Sequence, residues 1–317
     1  MAGGGVTNSR GEPIFTDVLF VNNSALFYGG GMYTYGGGST WTLTDVTFKN
    51  NTAGLTGGGL SNDKPMSLTN VTFDGNLATG LDGVSEPNGW GGGMFNGGEA
   101  IPVHLYKVTF SNNSAVRGGG MAGWISATSY MANVTFSGNS ASAGGGIYGY
   151  YNNPPYITNG TFSGNSADAG GAIYNQGVNN NPIIRNTIFW GNISTGGEQI
   201  YNNESTPAIT DSVVQGGCPA GSTCTNVIDA DPVLGALQNN GGGTETMALG
   251  SGSSAIDAGN DTACAAEFVS PNFGAGGFDQ RGVSRPQGAH CDIGAFEVEG
   301  YTLAVTSAHG TVTKDPD

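Results

Sequence analysis

The sequence predicts an all-β protein: a right-handed parallel β-helix of seven to eight coils, each of about 26 residues, with a disulfide-containing C-terminal cap region. Three observations predict it. A phenylalanine recurs at a nearly constant interval, an asparagine always stands three residues after it, and a glycine triplet follows further on. Thus "TFSGNSASAGGGIYGY" at 135–150 returns as "TFSGNSADAGGAIYNQ" at 161–176.

The anchors are Phe20, Phe48, Phe73, Phe110, Phe136, Phe162 and Phe189, at intervals of 28, 25, 37, 26, 26 and 27, and the long interval holds an extra "LDGVSEPNGW" at 81–90. Asn23, Asn51, Asn76, Asn113, Asn139, Asn165 and Asn192 form the following column. Two residues before the anchor stands valine in five coils (Val18, Val46, Val71, Val108, Val134), and five before it the residue is apolar throughout, from Phe15 and Leu43 to Ile184. Alternation in V-T-F reads as a strand whose valine and phenylalanine face a core. The ladder asparagine is expected at a turn, because asparagine tolerates the left-handed conformation and bonds its own backbone.

The triplets at 29–31, 57–59, 91–93, 118–120 and 144–146, with Gly170–Gly171–Ala172 as a variant, mark a second corner. There backbones approach closely or take positive φ. The apolar residue after each triplet, from Met32 to Ile173, starts the next strand. Each coil therefore carries about three short strands, and stacking pairs each with its copy about 4.8 Å away. Phenylalanine then meets phenylalanine and asparagine meets asparagine. No coil buries its apolar face alone, so several must stack. A β-propeller would need blades of about 40–50 residues. A degenerate eighth coil fits "AITDSVVQGG", with Ile209, Asp211 and Val214 in the matching columns. The right-handed winding is taken by analogy with most folds of this kind.

Glycine supplies 58 of 317 residues without a Gly-X-Y period, which excludes collagen. A net charge of −15 with nine Lys+Arg excludes nucleic acid and anionic membrane as partners, since both need a basic face. No apolar run reaches the roughly 20 residues of a membrane helix, so no membrane insertion is expected of this stretch. "MAGGGVTNSR" reads as the inside of a repeat, which predicts a piece of a longer secreted precursor and an open coil edge at which molecules can associate end to end. Cys218, Cys224, Cys264 and Cys291 lack zinc-site spacing and read as two disulfides of an oxidising compartment. Cys218–Cys224 with Cys264–Cys291 is the most economical of the three pairings.

"FSGN" with "GGAIYN" at 170–175 resembles the FxxN and GGA[ILV] repeats of chlamydial polymorphic outer membrane proteins, surface adhesins of the autotransporter type. Most triplets here read GGGM or GGGI, so the likeness is to the repeat class. "DADPVLGALQNNGGGTETMALGSGSSAIDAGND" at 229–261 and "DQRGVSRPQGAHCDIGAFE" at 279–297 are similar to the choice-of-anchor Q domain of bacterial surface and secreted proteins. The resemblance implies a secreted or surface-attached β-helix whose anchor lies further C-terminal. It divides the chain into repeats at 1–216, choice-of-anchor Q-like coils and cap at 217–298, and the start of a β-rich module at 299–317. Within the second part Asp257, Asp279, Arg281, Arg285, Asp292 and Glu297 concentrate charge. The two arginines are expected to satisfy buried carboxylates in a cap over the last coil. A catalytic or calcium site is the competing reading.

Parallel β-helices also host polysaccharide lyases and hydrolases, which need clustered carboxylates with a base, or a carboxylate pair about 5–9.5 Å apart. In the repeats the only histidine is His104, and Arg117 and Arg185 fall in different columns. The best carboxylate pair is Asp17 and Asp45, each three residues before its anchor in adjacent coils. Their column continues as Asn70, Lys107, Asn133, Asn159 and Asn186, so both read first as turn residues in a polar ladder and only second as metal candidates, with calcium the one cofactor considered.

Two residues after the triplets stand Tyr33, Ser61, Phe95, Ala122, Tyr148 and Tyr174, with Trp124 and Tyr150 nearby and Trp90 on the inserted loop. By alternation this column points away from the core. An exposed aromatic row suits sugar rings or a partner protein, whereas the plainer reading is an outer stack covered by loops. The first functional reading is a non-enzymatic extracellular or cell-surface module, structural or adhesin-like. It would bind polysaccharide or a neighbouring cell surface through Tyr33, Phe95, Trp124, Tyr148, Tyr150 and Tyr174. The alternative is a polysaccharide lyase or glycoside hydrolase of the pectate-lyase-like class, sited at Asp17/Asp45 or at the 81–90 loop. No catalytic residue is assigned.

Overall fold

A computed structural model describes residues 3–9, 11–36, 40–85, 87–98, 102–270 and 272–300; of the expected β-rich module, 301–317 lies outside the described residues. The anchor columns form one long parallel sheet. Its rungs are Ile14–Val21, Trp41–Lys49, Met66–Thr69 with Thr72–Asp74, Val103–Ser111, Ser129–Ser137, Tyr156–Ser163, Ile183–Arg185 with Ile188–Trp190, and Ala208–Val214. The degenerate coil is a true rung, pairing Ile184 with Ile209 and Phe189 with Val214. Thr223–Ile228 adds another beyond it, across position 216. The residues after the triplets form a second parallel sheet of eight strands, from Val6–Asn8 to Ile200–Asn203. Two-residue strands such as Thr52–Ala53 and Leu77–Ala78 close the third side of each coil. The fold is thus a parallel β-solenoid.

The core follows from the register. Phe136 pairs with Phe162, and their rings stack 4.6 Å apart at 4°. The whole file from Phe20 to Phe189 repeats this, with centroids 4.5–4.9 Å apart. Beside it run the −2 valines, the −5 apolar residues and the first residue after each triplet, all in one continuous cluster. Burying a ring of this size is worth roughly 1.5–3 kcal/mol, and the offset stack adds about 0.5–1.5 kcal/mol per pair.

Strict alternation cannot bury both Leu43 and Val46, which stand three residues apart, yet both are fully buried. The residue at −3 resolves this. Asp17, Asp45, Asn70, Lys107, Asn133, Asn159, Asn186 and Asp211 all take φ between 47° and 59°, a left-handed step that resets which face the strand presents. Asparagine and aspartate tolerate this conformation best, which explains the composition of the column.

The ladder asparagines differ from expectation. The left-handed turn residue is the one before each of them, as at Asn22, Asn50, Gly75 and Asn112. The ladder residue itself turns inward. Asn113 Nδ2 donates to Asn139 Oδ1 (2.9 Å) and to Phe73 O (2.9 Å), and Asn113 N donates to the same Asn139 Oδ1 (3.0 Å). From Asn51 to Asn165 these amides are fully buried, so they hydrogen-bond coil to coil where water cannot reach. At the triplet corner, Gly118 has φ +64°, and a Cβ on Gly119 would stand 2.5 Å from Gly145 O of the next coil. The first position needs the conformation, the second the space.

The C-terminal region caps the solenoid from the side. It runs back along the outer face of the anchor sheet instead of covering only the last rung, as the sequence suggested. Thr109 Oγ1 donates to Glu245 O (2.8 Å), Thr135 Oγ1 to Gln280 Oε1 (2.8 Å), and Ala295 N to Thr161 Oγ1 (3.0 Å). Phe273 lies on the Tyr130 ring, 3.7 Å between centroids. Both disulfides form with the economical pairing, Cys218–Cys224 and Cys264–Cys291. The second sits beside the solenoid, where Asn186 Nδ2 reaches Cys264 Sγ at 3.2 Å.

Inside this region Arg285 Nη1 donates to Glu297 Oε2 (2.9 Å) and Asp292 O (2.6 Å), and Nη2 to Gly294 O (2.7 Å). Arg281 Nε pairs with Asp279 Oδ2 (2.8 Å), and its guanidinium lies 3.6 Å from the Phe296 centroid. Asp257 N donates to Asp292 Oδ1 (2.8 Å). Burial pushes the Asp292 and Glu297 carboxyls up, against the pull of Arg285. The charges hold the segment's own loops together.

Candidate binding face

The outer face of the triplet sheet carries the aromatic column, because strand alternation turns the second residue after each triplet away from the core. The rings do not form a freely exposed row. Phe95 and Tyr148 are 5% and 1% exposed, packed under Trp90 of the inserted loop. Trp90 stands edge-on to Tyr148 (4.9 Å) and to Phe95 (6.4 Å). The Arg117 guanidinium lies 5.2 Å from the Trp90 centroid and 5.4 Å from that of Tyr148, whose hydroxyl donates to Gln176 Oε1 (2.6 Å).

Partial exposure returns towards both ends of the column and in the layer above it. Trp124 stacks on Tyr150 (4.9 Å, 18°), Tyr174 lies between Tyr148 (5.4 Å) and Tyr201 (4.9 Å), and Tyr33 is flanked by Tyr28 (5.2 Å) and Tyr35 (5.3 Å). The six aromatic residues named from the sequence therefore share one face, though two of them are structural.

Between the Tyr28/Tyr33 and Trp90/Phe95 groups lies an open groove of about 250 Å³, lined by Tyr28, Tyr33, Thr56, Ser61, Asp63, Pro87, Phe95, Gly97 and Trp124. Thr56 and Ser61, both buried, form its floor and share a hydrogen bond of 2.9 Å. At its rim the Asp63 carboxylate accepts from the Tyr33 hydroxyl. Burial raises the Asp63 carboxyl, and burial together with that neighbouring carboxylate pushes the Tyr33 phenol up to about 12. Thr56 and Asp63 were missed in the sequence because neither is aromatic; the signal was Ser61, which with Ala122 interrupts the aromatic column.

Asp17 and Asp45 occupy adjacent rungs, bracketed by the Thr16–Thr44 and Val18–Val46 pairs, on a different face from this groove. Both hold the left-handed corner, and Asn70 Nδ2 donates to Asp45 Oδ1 (3.0 Å), as a polar ladder requires. Among the described residues no three His, Cys, Asp or Glu side chains gather closely enough to hold a metal. Two larger clefts lie where the C-terminal segment meets the last coils. One of about 380 Å³ includes Arg185, Asp211 and Thr262, and the other, of about 420 Å³, includes Asp211, Asp257 and His290. His290 Nδ1 is tied to Asp261 Oδ2 at 2.8 Å.

Residues 45–63, 133–150 and 159–176 match the Chlamydia polymorphic membrane protein repeat. The chain's repeats are similar to that class. Each match begins at the left-handed corner before an anchor and runs through the anchor, the ladder asparagine and the triplet to the strand behind it, so it covers the parts that form the ladders. No curated protein and no solved structure matches the chain. The repeat class and the solenoid together fit a surface-exposed β-helix module of the autotransporter type. Among the described residues no helix is long and apolar enough to cross a membrane.

Proposed function

We propose that this protein is an extracellular or cell-surface β-helix module, non-catalytic and adhesin-like, which binds polysaccharide or a neighbouring surface through the outer face of its triplet sheet. The observation that carries the reading is the aromatic groove. It offers the partly exposed rings of Tyr28, Tyr33 and Trp124 and one carboxylate, whereas acid–base chemistry needs ionisable groups converging on a shared point. Two disulfides support an oxidising compartment. Residues 1–216 are read as the presenting repeats, and 217–298 as a choice-of-anchor Q-like unit that stiffens their flank.

Incubation with neutral and acidic polysaccharides, with and without calcium, tests this. Retention on an affinity gel without turnover is expected. New reducing ends, or absorbance from unsaturated products, would replace it with the lyase or hydrolase reading.

A further inference from the structure

The two disulfides lie in opposite surroundings. Cys264 and Cys291 are 1% and 0% exposed, with the Asn186 amide against their sulfurs. Cys218 stands in the open on a short loop, and its partner Cys224 is half-buried. Thiol–disulfide exchange requires a thiolate to reach one sulfur in line with the bond, so access decides which bridge reacts.

The exposed bridge also sits where the solenoid ends. Thr223–Ile228 pairs with Ala208–Val214 on one side, and among the described residues no strand pairs with its other side. Cys224 stands opposite Ile209, so it continues the −5 column, and with Val227 it packs on the end of the core cluster. The loop at 215–222 leaves one rung and returns as the next, and Cys218–Cys224 staples it shut. Asn202, on the last strand of the triplet sheet, is satisfied by the same loop: its Nδ2 donates to Ala220 O (2.8 Å) and Ser222 Oγ (3.0 Å). One crosslink therefore fastens the final strand of both sheets. Other ties on the loop, such as Gly216 N to Asp229 Oδ1 (2.9 Å), lie at the surface, where water competes for them.

We propose that Cys218–Cys224 is a thiol–disulfide exchange site for dithiol reductants, and that its opening unlatches the last rung. The attacking thiolate bonds to Cys218 Sγ and breaks the S–S bond, and Cys224 leaves as the thiolate. The second thiol of the reductant then attacks the reductant's own sulfur in the mixed disulfide and releases Cys218. Two electrons pass to the protein, the reductant ends as a disulfide, and its two protons finish on the cysteine sulfurs. Without the crosslink the loop regains its freedom, and the rung loses the closure that held Cys224 and Val227 over the core end. The coils beneath stay intact, because their ladders and the buried Cys264–Cys291 bridge do not depend on this loop.

The test treats the native protein with dithiothreitol, quenches with iodoacetamide and maps the peptides by mass spectrometry. Cys218 and Cys224 should alkylate at least about 100-fold faster than Cys264 and Cys291, because exchange follows access. Hydrogen exchange should then accelerate at least about tenfold over 200–203 and 223–228 and stay unchanged over 105–136. Oxidised glutathione should reverse both changes. The double variant Cys218→Ser with Cys224→Ser should show the fast hydrogen exchange without reductant and no response to it. Equal alkylation of the two bridges would overturn the exchange site. Selective reduction with unchanged hydrogen exchange at 223–228 would overturn the latch. Acceleration along the whole solenoid would overturn it too, since the crosslink would then act on global stability.

Discussion

Asn139 Nδ2 donates to Asn165 Oδ1 at 2.8 Å and to Phe110 O at 2.9 Å, so one amide links three successive coils. The same side chain accepts from Asn113 N (3.0 Å) and Asn113 Nδ2 (2.9 Å). Asn139→Ala would orphan several buried partners at once, each costing about 1–3 kcal/mol. A loss of about 3 kcal/mol is expected in urea unfolding. The neighbouring asparagine type behaves differently. Asn112 has φ 56° and an exposed side chain, so Asn112→Gly should stay within about 0.5 kcal/mol of the native protein. Equal losses at both positions would refute the distinction between ladder and corner.

Arg285 is the cation on which the C-terminal segment closes. Arg285→Met leaves Glu297 buried without its cation, and the carbonyls of Asp292 and Gly294 with only the longer bonds from Asn159 Nδ2 (3.3 and 3.2 Å). Breaking such a buried pair costs about 3–5 kcal/mol. The loss should be local. Hydrogen exchange is expected to accelerate across 255–298 and at the sheet positions this segment covers, with Phe48 and Phe73 remaining protected. Uniform acceleration along the whole chain would show that the segment and the solenoid unfold as one unit.

The Tyr33–Asp63 contact has an optical signature. Ultraviolet titration should find a tyrosine ionising late, pushed up to about 12, by burial first and by the Asp63 charge second. Asp63→Asn removes the second cause and keeps the first, so the transition should move only part of the way back. A full return to the ordinary tyrosine range, about 10, would mean the groove is wetter than described.

His290 and Asp261 give a pH-dependent clasp between the short helix Asp261–Ala265 and the loop at 290–291. The pair raises His290 above its ordinary 6.5 and lowers Asp261 below its ordinary 3.8. For His290 the stabilisation is complete below 6.5 and disappears as pH rises through the raised value. For Asp261 it is complete above 3.8 and disappears as pH falls through the lowered value. Stability conferred by the pair should therefore be flat between these limits and fall on either side. Proton NMR should find the His290 midpoint above 6.5 in the native protein and lower in Asp261→Asn. Identical midpoints would remove the clasp.

Much of this was legible because the repeat writes each contact column into the chain many times over. Phenylalanine, ladder asparagine, glycine triplet and the Asp/Asn corner each recur, so the sequence alone determined the solenoid, its register and the identity of the residues that meet. It misplaced the left-handed turn by one residue, since Asn22–Asn23 and Asn50–Asn51 are identical pairs and either member can turn. Only the tertiary structure decided what lies on top of the columns. Trp90 enters from an insertion to bury Phe95 and Tyr148, Thr56 and Ser61 meet in a buried hydrogen bond beneath the groove, and residues 230–298 fold back over the anchor sheet. Those contacts occur once each, between parts of the chain with no shared period, and packing alone fixes them.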